Sequence, residues 1–242
     1  MTALRRWFVL SLLGALALQA FFIGRIALMA AFDPQSSAFQ RSEIWRLAGA
    51  GKLRWRQDWR GYDQIAESLK RAVIASEDDE FARHEGVQWE AIEQAWQRNA
   101  QAEAAAARRA AAQNRPEQPA AVRGGSTITQ QLAKNLLLSG ERTFARKGQE
   151  LLLTYALEAL LDKRRILEIY LNSVEWGEGV FGAEAAARHY FGKSAAQLND
   201  WEAARLAVML PRPRYFEKRP NSAYLSHRAG VIMQRMAAAQ VP

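Results

Sequence analysis

The 242-residue sequence contains no cysteine, which excludes structural disulfides, thiolate metal sites and a thiol nucleophile. The G-x-x-x-x-G-K-[ST] order of a Walker loop is also absent. Strand-like segments are few, and there is no internal repeat. These absences exclude cysteine chemistry and Walker-type nucleotide binding, and they favour a mainly helical domain.

The residues that are present are largely apolar or basic. Hydrophobic residues make up 49% of the chain and charged residues 24%, which is enough for a packed core. The net charge is +8 and the isoelectric point is about 10.0. A basic surface favours an anionic partner, which can be a nucleic acid, an anionic lipid or a phosphorylated substrate, and charge alone does not choose among these.

One long apolar run occupies residues 7–24, close to the N-terminus. A membrane-spanning helix needs about 20 apolar residues, and Arg25 at the end of the run can extend its charge to the interface. Arg5 and Arg6 precede the run and predict a cytoplasmic N-terminus with the remainder outside. A cleaved signal peptide is the alternative, but its apolar core is shorter, about 7–15 residues. The length therefore favours an anchor that stays attached.

The composition divides the chain into three parts. Residues 1–32 are predicted to form a cytoplasmic tip and the membrane anchor, residues 33–60 a connector near the membrane, and residues 61–242 the functional domain. Three tryptophans of the connector suit either a membrane interface or packing against the domain: Trp45, Trp55 and Trp59.

From Asp63 onward, apolar spacing predicts one helix after another. Asp63 is the predicted N-cap of the first helix, and the second carries Trp89, Ile92 and Trp96 on one stripe. In an insertion at about residues 100–120, the Ala-rich half has helical propensity and the Pro-containing half reads as a linker. Later helices are predicted in these segments: STITQQLAKNLLL, RTFARKGQELLLTYALEALLDK, RRILEIYLNSV, GVFGAEAAARHYFGK, DWEAARLAVML and the region from about Tyr224. The segment PRPRYFEKRPNS is predicted to be irregular, and WGEGVFG to hold a short strand.

Four carboxylates stand side by side from Glu77 to Glu80, within the segment ASEDDEFARHEG. Glu77 lies near the C-terminal end of the first helix, where the helix dipole is negative, and three more acids follow it. Both effects raise the pKa of its carboxyl group, which suits a general base. A solvated acidic turn is the other interpretation. A single histidine such as His84 is more often a structural residue than a catalyst.

The segment RGGSTITQQLAKN predicts a capped helix with a polar face. Ser126 or Thr127 can cap the helix, and Thr127, Gln130, Gln131 and Lys134 share one face by their spacing. A helix N-terminus followed by a lysine can receive phosphate groups or sugar hydroxyls. An amphipathic helix with an ordinary solvated face is the alternative.

The segment ERTFARKGQE places Arg142, Arg146 and Glu150 on one helical face, with Lys147 beside them. This spacing predicts either a surface ladder of ion pairs or a cationic clamp beside a second carboxylate. Taken alone, the segment favours the ladder.

Together and in this order, four segments resemble the signature motifs of the family 51 glycosyltransferases, the peptidoglycan glycosyltransferases of bacterial cell-wall synthesis: EDDEFARHEG, GGSTITQQLAKN, RKGQE and KRRILEIYLN. The resemblance covers about residues 61–240. No S-x-x-K or K-T-G set of a penicillin-binding transpeptidase is present, which favours a monofunctional member of the family.

The resemblance implies a mainly α, lysozyme-like domain with a small mobile lobe, preceded by one transmembrane helix. It implies that lipid II, a disaccharide-pentapeptide on a polyprenyl diphosphate, is polymerised into β-1,4-linked glycan with inversion at the MurNAc anomeric carbon. Glu77 corresponds to the general base, and Glu150 to a second carboxylate that assists departure of the diphosphate. The residues implied in substrate binding are Asp78, Phe81, His84, Ser126, Gln130, Gln131, Lys134, Asn135, Arg142, Arg146 and Lys147.

The resemblance also implies the partners and the location. The partners are lipid II, the growing glycan strand, membrane lipids and other cell-wall synthesis and division proteins, but no nucleic acid. No cofactor is firmly implied; a divalent cation, Mg²⁺ or Mn²⁺, at the diphosphate is the one considered, and its protein ligands are unknown. The implied location is the inner membrane, crossed once, with the N-terminus cytoplasmic and the catalytic domain periplasmic.

Two features depart from the family pattern. The Ala-rich insertion lengthens the segment between the first two motifs, and Gln149 precedes Glu150 where some relatives carry a lysine. Two other functions compete with the polymerase. A lysozyme-like hydrolase or lytic transglycosylase does not need the cations at positions 134, 142 and 147, and a non-catalytic membrane scaffold does not need the paired glutamates.

Overall fold

The computed structural model describes residues 3–113, 125–138, 140 and 143–242 of the chain. Most of these residues are helical, which confirms the predicted mainly α fold class. The helices are α1 (Ala3–Leu28), α2 (Ala38–Gly49), α3 (Glu67–Glu77), α4 (Trp89–Gln113), α5 (Ile128–Leu137), α6 (Phe144–Leu160), α7 (Lys163–Ser173), α8 (Ala183–Phe191), α9 (Asp200–Met209), α10 (Pro213–Glu217) and α11 (Ala223–Met236). The strands are β1 (Arg56–Gln57), β2 (Glu175–Gly177) and β3 (Val180–Phe181), and two short 3₁₀ turns occupy Tyr62–Gln64 and Ala195–Gln197.

Two groups of helices form the core. Helices α3, α9 and α11 pack against one another, and their fully buried residues include Leu69, Leu206 and Ile232. Helix α5 packs against α6 and α7. Each helix turns its apolar side toward its neighbours, as the spacing of the apolar residues predicts. The groups meet where α3 ends and α5 begins, and this junction carries the acidic segment.

A small sheet ties the residues before the helical domain to its centre. Strand β1 runs parallel to β3, with Arg56 opposite Val180, and β2 runs antiparallel to β3. Gly179 has φ +74°, and a Cβ at this position would lie 2.1 Å from the carbonyl oxygen of Arg54. Only glycine fits such a backbone so close to another strand. The predicted strand in WGEGVFG is confirmed, while β1 was not predicted.

Some of the connector tryptophans pack against the domain, and one is exposed. The Trp55 ring packs against that of Phe181 with a centroid distance of 4.6 Å. Trp59 lies against the guanidinium group of Arg165, at 5.7 Å from the ring centroid. Trp45 on α2 is exposed. Packing against the domain therefore accounts for two of the three rings.

Helix α1 is long and apolar enough to cross a membrane, and no residue of its apolar window is buried. Its C-terminal end differs, because Ile26 and the adjoining Met29 are buried members of the core. Arg165 of α7 donates to the Met29 carbonyl oxygen at 2.7 Å and to the Asp33 carboxylate at 2.8 Å. The helix is thus fixed to the domain at this end.

Two predicted element boundaries were wrong. Asp63 lies inside the 3₁₀ turn, which is closed by the Gly61 N–H donating to Gln64 Oε1 at 3.1 Å, so α3 begins only at Glu67. The segment PRPRYFEKRPNS is not wholly irregular, because α10 forms within it with Pro213 in the first turn, where the missing N–H has no intrahelical role.

Helix α4 extends through the Ala-rich half of the insertion to Gln113, which confirms its helical propensity. The Pro-containing half, residues 114–124, lies outside the described residues. The predicted stripe faces outward, since Trp89 and Trp96 are 57% and 75% exposed.

Candidate active site

Glu77 is the last residue of α3 and lines a cleft of about 160 Å³. Asp78 leaves the helical conformation immediately afterwards, so the chain turns away and the Glu77 side chain remains at the cleft wall. The half-buried carboxylate accepts hydrogen bonds from Gln131 Nε2 at 2.9 Å and from Ser76 Oγ at 3.5 Å. A group able to take up a proton therefore faces a space in which a ligand fits.

Burial raises the pKa of the Glu77 carboxyl group above its usual value, and the charge of Asp78 acts in the same direction. The hydrogen bonds from Gln131 and Ser76 and the charge of Lys134 lower it by less. The direction agrees with the sequence-based prediction, but the main cause is removal from water, not crowding by acids. A raised pKa suits a carboxylate that acts as a general base near neutral pH.

Asp78 joins two elements of the domain. Its buried carboxylate accepts a hydrogen bond from the N–H of Ile128, the first residue of α5, at 2.9 Å. A negative charge at a helix N-terminus is favourable. His84 Nδ1 accepts from the Gly86 N–H at 3.0 Å, so Nε2 carries the proton and donates to Asp78 at 2.9 Å. Asp78 and His84 therefore hold the loop after α3 against the start of α5.

The other two acids of the run pair with arginines at the surface. Asp79 lies 3.0 Å from Arg235, and Glu80 lies 3.1 Å from Arg83. Exposed pairs of this kind contribute little to stability. Their importance is that each neighbour of Glu77 has a positively charged or hydrogen-bonded partner of its own, which relieves the repulsion that the sequence suggests.

Gln131 is fixed from its other side by Tyr170 of α7. The Tyr170 hydroxyl donates to Gln131 Oε1 at 3.0 Å, which leaves Nε2 to donate to Glu77. Burial raises the pKa of the Tyr170 phenol well above its usual value, so the phenol keeps its proton. Sequence reasoning missed Tyr170; the one signal was a polar aromatic residue within the apolar run of KRRILEIYLN.

The cleft contains further polar groups that the sequence did not single out. Gln88 directly precedes α4, Arg98 lies on α4, and Arg235 lies on α11. Ser126, which was predicted, also lines the cleft. Two arginines therefore share this small space with Glu77, Asp78 and Asp79, so the cleft is polar and carries charges of both signs.

The residues predicted to form one polar face of α5 have two different roles. Thr127 is the N-cap: its hydroxyl accepts from the Gln130 N–H at 3.1 Å and donates to the Gly86 carbonyl oxygen at 2.6 Å. The Gln130 side chain folds back to accept from the Thr127 N–H at 3.0 Å and is buried. This capping box uses Gln130 for structure, whereas Gln131 and Lys134 stay on the more exposed side.

Two more predicted binding residues lie away from open surface. Phe81 has no exposed surface and packs in the core, with the Lys163 ammonium 4.7 Å above its ring. Asn135 is half-buried on α5. Phe81 therefore packs beneath the loop after α3 as part of the core.

A second carboxylate lies on α6. Glu150 is buried and sits between Arg146 Nη1 at 2.9 Å and Lys147 Nζ at 2.5 Å. The burial favours the clamp over the surface ladder, because an exposed ladder would leave the carboxylate in water. Arg146 Nε is also buried and has no hydrogen-bond partner within the described residues. Arg142 lies outside the described residues.

Helix α5 connects the two carboxylates, since it carries Gln131 and Lys134 and packs against α6. Within the part of the chain that the structure describes, no group of three or more His, Cys, Asp or Glu side chains could hold a metal ion. The arrangement can thus accept a proton at Glu77 and bind negative charge through lysine and arginine side chains.

A carboxylate with a raised pKa in a polar cleft, with a second one held by cations on α6, is typical of an enzyme that uses acid–base chemistry. A comparison with known families matches residues 46–237 to the family model described as Transglycosylase. The chain belongs to this transglycosylase family, and the resemblance seen in its motifs is confirmed.

Similar proteins match nearly the whole chain. It is 54% identical over 228 residues to the biosynthetic peptidoglycan transglycosylase of Burkholderia pseudomallei (strain K96243), covering 94% of this chain and 83% of that protein. It is 51% identical to the protein of the same name from Paraburkholderia phytofirmans (strain DSM 17436 / LMG 22146 / PsJN), covering 94% and 88%. It is 53% identical to that of Bordetella avium (strain 197N), covering 87% and 83%.

Proposed function

We propose that this protein is a monofunctional peptidoglycan glycosyltransferase that polymerises lipid II into β-1,4-linked glycan and releases undecaprenyl diphosphate. The observation that carries the proposal is Glu77, a cleft carboxylate whose pKa is raised by burial and whose orientation is fixed by Gln131. Family membership and the names of the relatives support the same reaction class.

Glu77 acts as the general base in this proposal. It takes the proton from the 4-hydroxyl of the acceptor GlcNAc, and the hydroxyl oxygen forms a bond to the anomeric carbon of the donor MurNAc. The bond from that carbon to the phosphate oxygen breaks, and the diphosphate leaves with the electron pair. A single displacement inverts the α configuration of lipid II to the β link of the glycan, as expected for two separated carboxylates.

The cations of α5 and α6 receive the leaving diphosphate. Lys134 and Lys147 are exposed, and Arg146 Nε has no hydrogen-bond partner among the described residues, so these groups can bind phosphate oxygens. Glu150 holds Arg146 and Lys147 in place until the substrate arrives. Arg142 belongs to the same proposed set by its motif position.

A divalent cation fits this site only if most of its ligands are oxygens of the diphosphate and water. Glu150 supplies one carboxylate, and no three-residue ligand group lies among the described residues. Mg²⁺ typically keeps several waters and binds one or two carboxylates together with substrate phosphates. Such an ion would add positive charge at the leaving group.

The proposed location is the inner membrane, with α1 as an uncleaved anchor and the domain on the periplasmic side. Arg5 and Arg6 support this orientation. Cleavage after the small residues near position 30 would remove Ile26 and Met29 from the core, which supports retention of the helix. The proposed partners are lipid II, the glycan strand, membrane lipids and proteins of cell-wall synthesis and division.

The test is polymerisation of purified lipid II by the full chain. Wild-type protein should produce long glycan strands, and Glu77→Gln should lose at least about 100-fold of the rate, the scale of a lost general base. Glu80→Gln is the matched control, because this acid of the same run pairs at the surface with Arg83. Normal polymerisation by Glu77→Gln, or release of small muropeptides from finished glycan, would contradict the proposal.

A further inference from the structure

Helix α1 contains one amide that contacts the catalytic domain well inside the apolar run. Gln19 Nε2 donates to Gln149 Oε1 at 2.7 Å, and Gln149 Nε2 donates to Gln19 Oε1 at 2.9 Å. Each side chain thus donates one hydrogen bond to the other and accepts one from it. Such a pair is favoured in lipid, since an amide surrounded by hydrocarbon has no water to bond with.

This pair is a second polar attachment between α1 and the domain, in addition to the packing of Phe22 against the core. The first lies at the C-terminal end of the helix, where Ile26 and Met29 enter the core and Arg165 binds the Met29 carbonyl oxygen. The attachments are about 10–15 Å apart along the helix axis, because each helical residue adds about 1.5 Å. One attachment would let a rod pivot, whereas two separated attachments fix its direction.

The domain side of the pair is next to the second carboxylate. Gln149 directly precedes Glu150 and lies on the same turn as Arg146 and Lys147, the proposed phosphate ligands. Helix α6 also exposes apolar side chains, among them Phe144, which is 99% exposed. The end of α6 that carries the cations therefore lies against the anchor and offers apolar surface to lipid.

We propose that Gln19 is a positioning residue: its paired hydrogen bonds with Gln149 fix the tilt of the catalytic domain on the anchor, so that the cations of α6 stay at the level of the phosphate groups of the membrane. The inference depends on the proposed function, because it assumes a substrate whose diphosphate is held at the bilayer surface. It assigns to the anchor a role in catalysis beyond attachment.

The test compares two substrates with the full chain. Gln19→Leu removes the hydrogen bonds and keeps the apolar character of the span. It should lower the rate on full-length lipid II in liposomes by about 10-fold, the size of one lost hydrogen-bond pair in a membrane, and change the rate on a short-prenyl lipid II in detergent by less than about 2-fold. Gln19→Glu, which enters lipid protonated and restores the reciprocal pair, should recover the liposome rate.

Ser11→Leu is the matched control, because Ser11 is another polar residue of α1 and is exposed. It should leave both rates unchanged. Equal losses on both substrates for Gln19→Leu would indicate a merely structural role and overturn the inference, as would an unchanged liposome rate. Wild-type protein that is inactive on both substrates would instead refute the proposed function.

A second measurement reports the tilt without activity. The chain has no cysteine, so spin labels can be attached specifically to Leu12→Cys on the anchor and Ser226→Cys on the domain, both exposed positions. The distribution of the distance between the labels in liposomes should be narrow, and Gln19→Leu should broaden it. An unchanged distribution would overturn the inference.

Discussion

Replacing Gln131 by leucine should shift the pH dependence of the reaction. Gln131 donates a hydrogen bond to the Glu77 carboxylate at 2.9 Å and thereby opposes the rise in pKa that burial causes. A hydrogen bond to a charged group contributes about 1.5–3 kcal/mol, and one pKa unit corresponds to about 1.36 kcal/mol. Without this hydrogen bond, the pKa of Glu77 should therefore rise further.

In the proposed mechanism Glu77 must be ionised to act as the general base, so activity should increase as the pH rises through its pKa. In Gln131→Leu the acid limb of the pH–kcat profile should move to higher pH by about 1–2 units. Well below this limb the rate should fall about 10–100-fold, and above it the rate should approach that of the wild type. The measurement is lipid II polymerisation from pH 5 to pH 9 at saturating substrate.

A paired variant separates this effect from loss of stability. Gln131→Leu alone leaves the buried Tyr170 hydroxyl without its acceptor, which costs about 1–3 kcal/mol. The double variant Gln131→Leu/Tyr170→Phe removes both partners and should regain most of that stability while keeping the shifted acid limb. An acid limb that stays in place, or moves to lower pH, would refute the assignment of Glu77 as the base held by Gln131.

Three further predictions concern stability. Gly179→Ala should destabilise the protein by more than about 2 kcal/mol in urea unfolding, because a left-handed backbone and the Arg54 carbonyl both oppose a Cβ there. Gly192→Ala, where φ is +68° but the surrounding space is open, should cost about 1–2 kcal/mol. Equal losses of stability in the two variants would contradict this prediction. Phe81→Ala should cost about 3–5 kcal/mol by emptying the core, and a loss below about 1 kcal/mol would mean that the ring is not packed there. The pKa of Glu77 is raised in the folded state, so its stabilising contribution is lost as the pH rises. Glu77→Gln should therefore raise Tm relative to the wild type at pH 8 but not near pH 4. A lower Tm of the variant at pH 8 would contradict this prediction.

The helices could largely be predicted because their apolar residues repeat with the helical period and their ends carry capping residues. Thr127 and Gln130 form the capping box that the sequence STITQ suggests, and α6 and α7 follow their amphipathic patterns. The predicted start of α3 was wrong because the Gly61 N–H donates to the Gln64 side chain and closes a separate turn before the helix. Strand β1 has two residues, too few for any periodic pattern.

The candidate site was predictable in its carboxylates but not in its contacts. The run of acids pointed to Glu77, yet burial, which no local pattern encodes, is the main cause of its raised pKa. Tyr170 and Arg235 reach the site only because α7 and α11 pack nearby in three dimensions. The place of Phe81 in the first motif suggested substrate binding and did not indicate that its ring points into the core.

The link from Tyr170 through Gln131 bears on how the enzyme prepares for its next turnover. With Oε1 engaged by the phenol, the glutamine cannot rotate to offer an acceptor to a newly protonated Glu77. In the proposed mechanism the acquired proton then resides on the other oxygen of Glu77, on the side of Ser76 at the cleft wall. From there it can escape to water, so a rigid amide would keep the base recharged throughout the growth of a long chain.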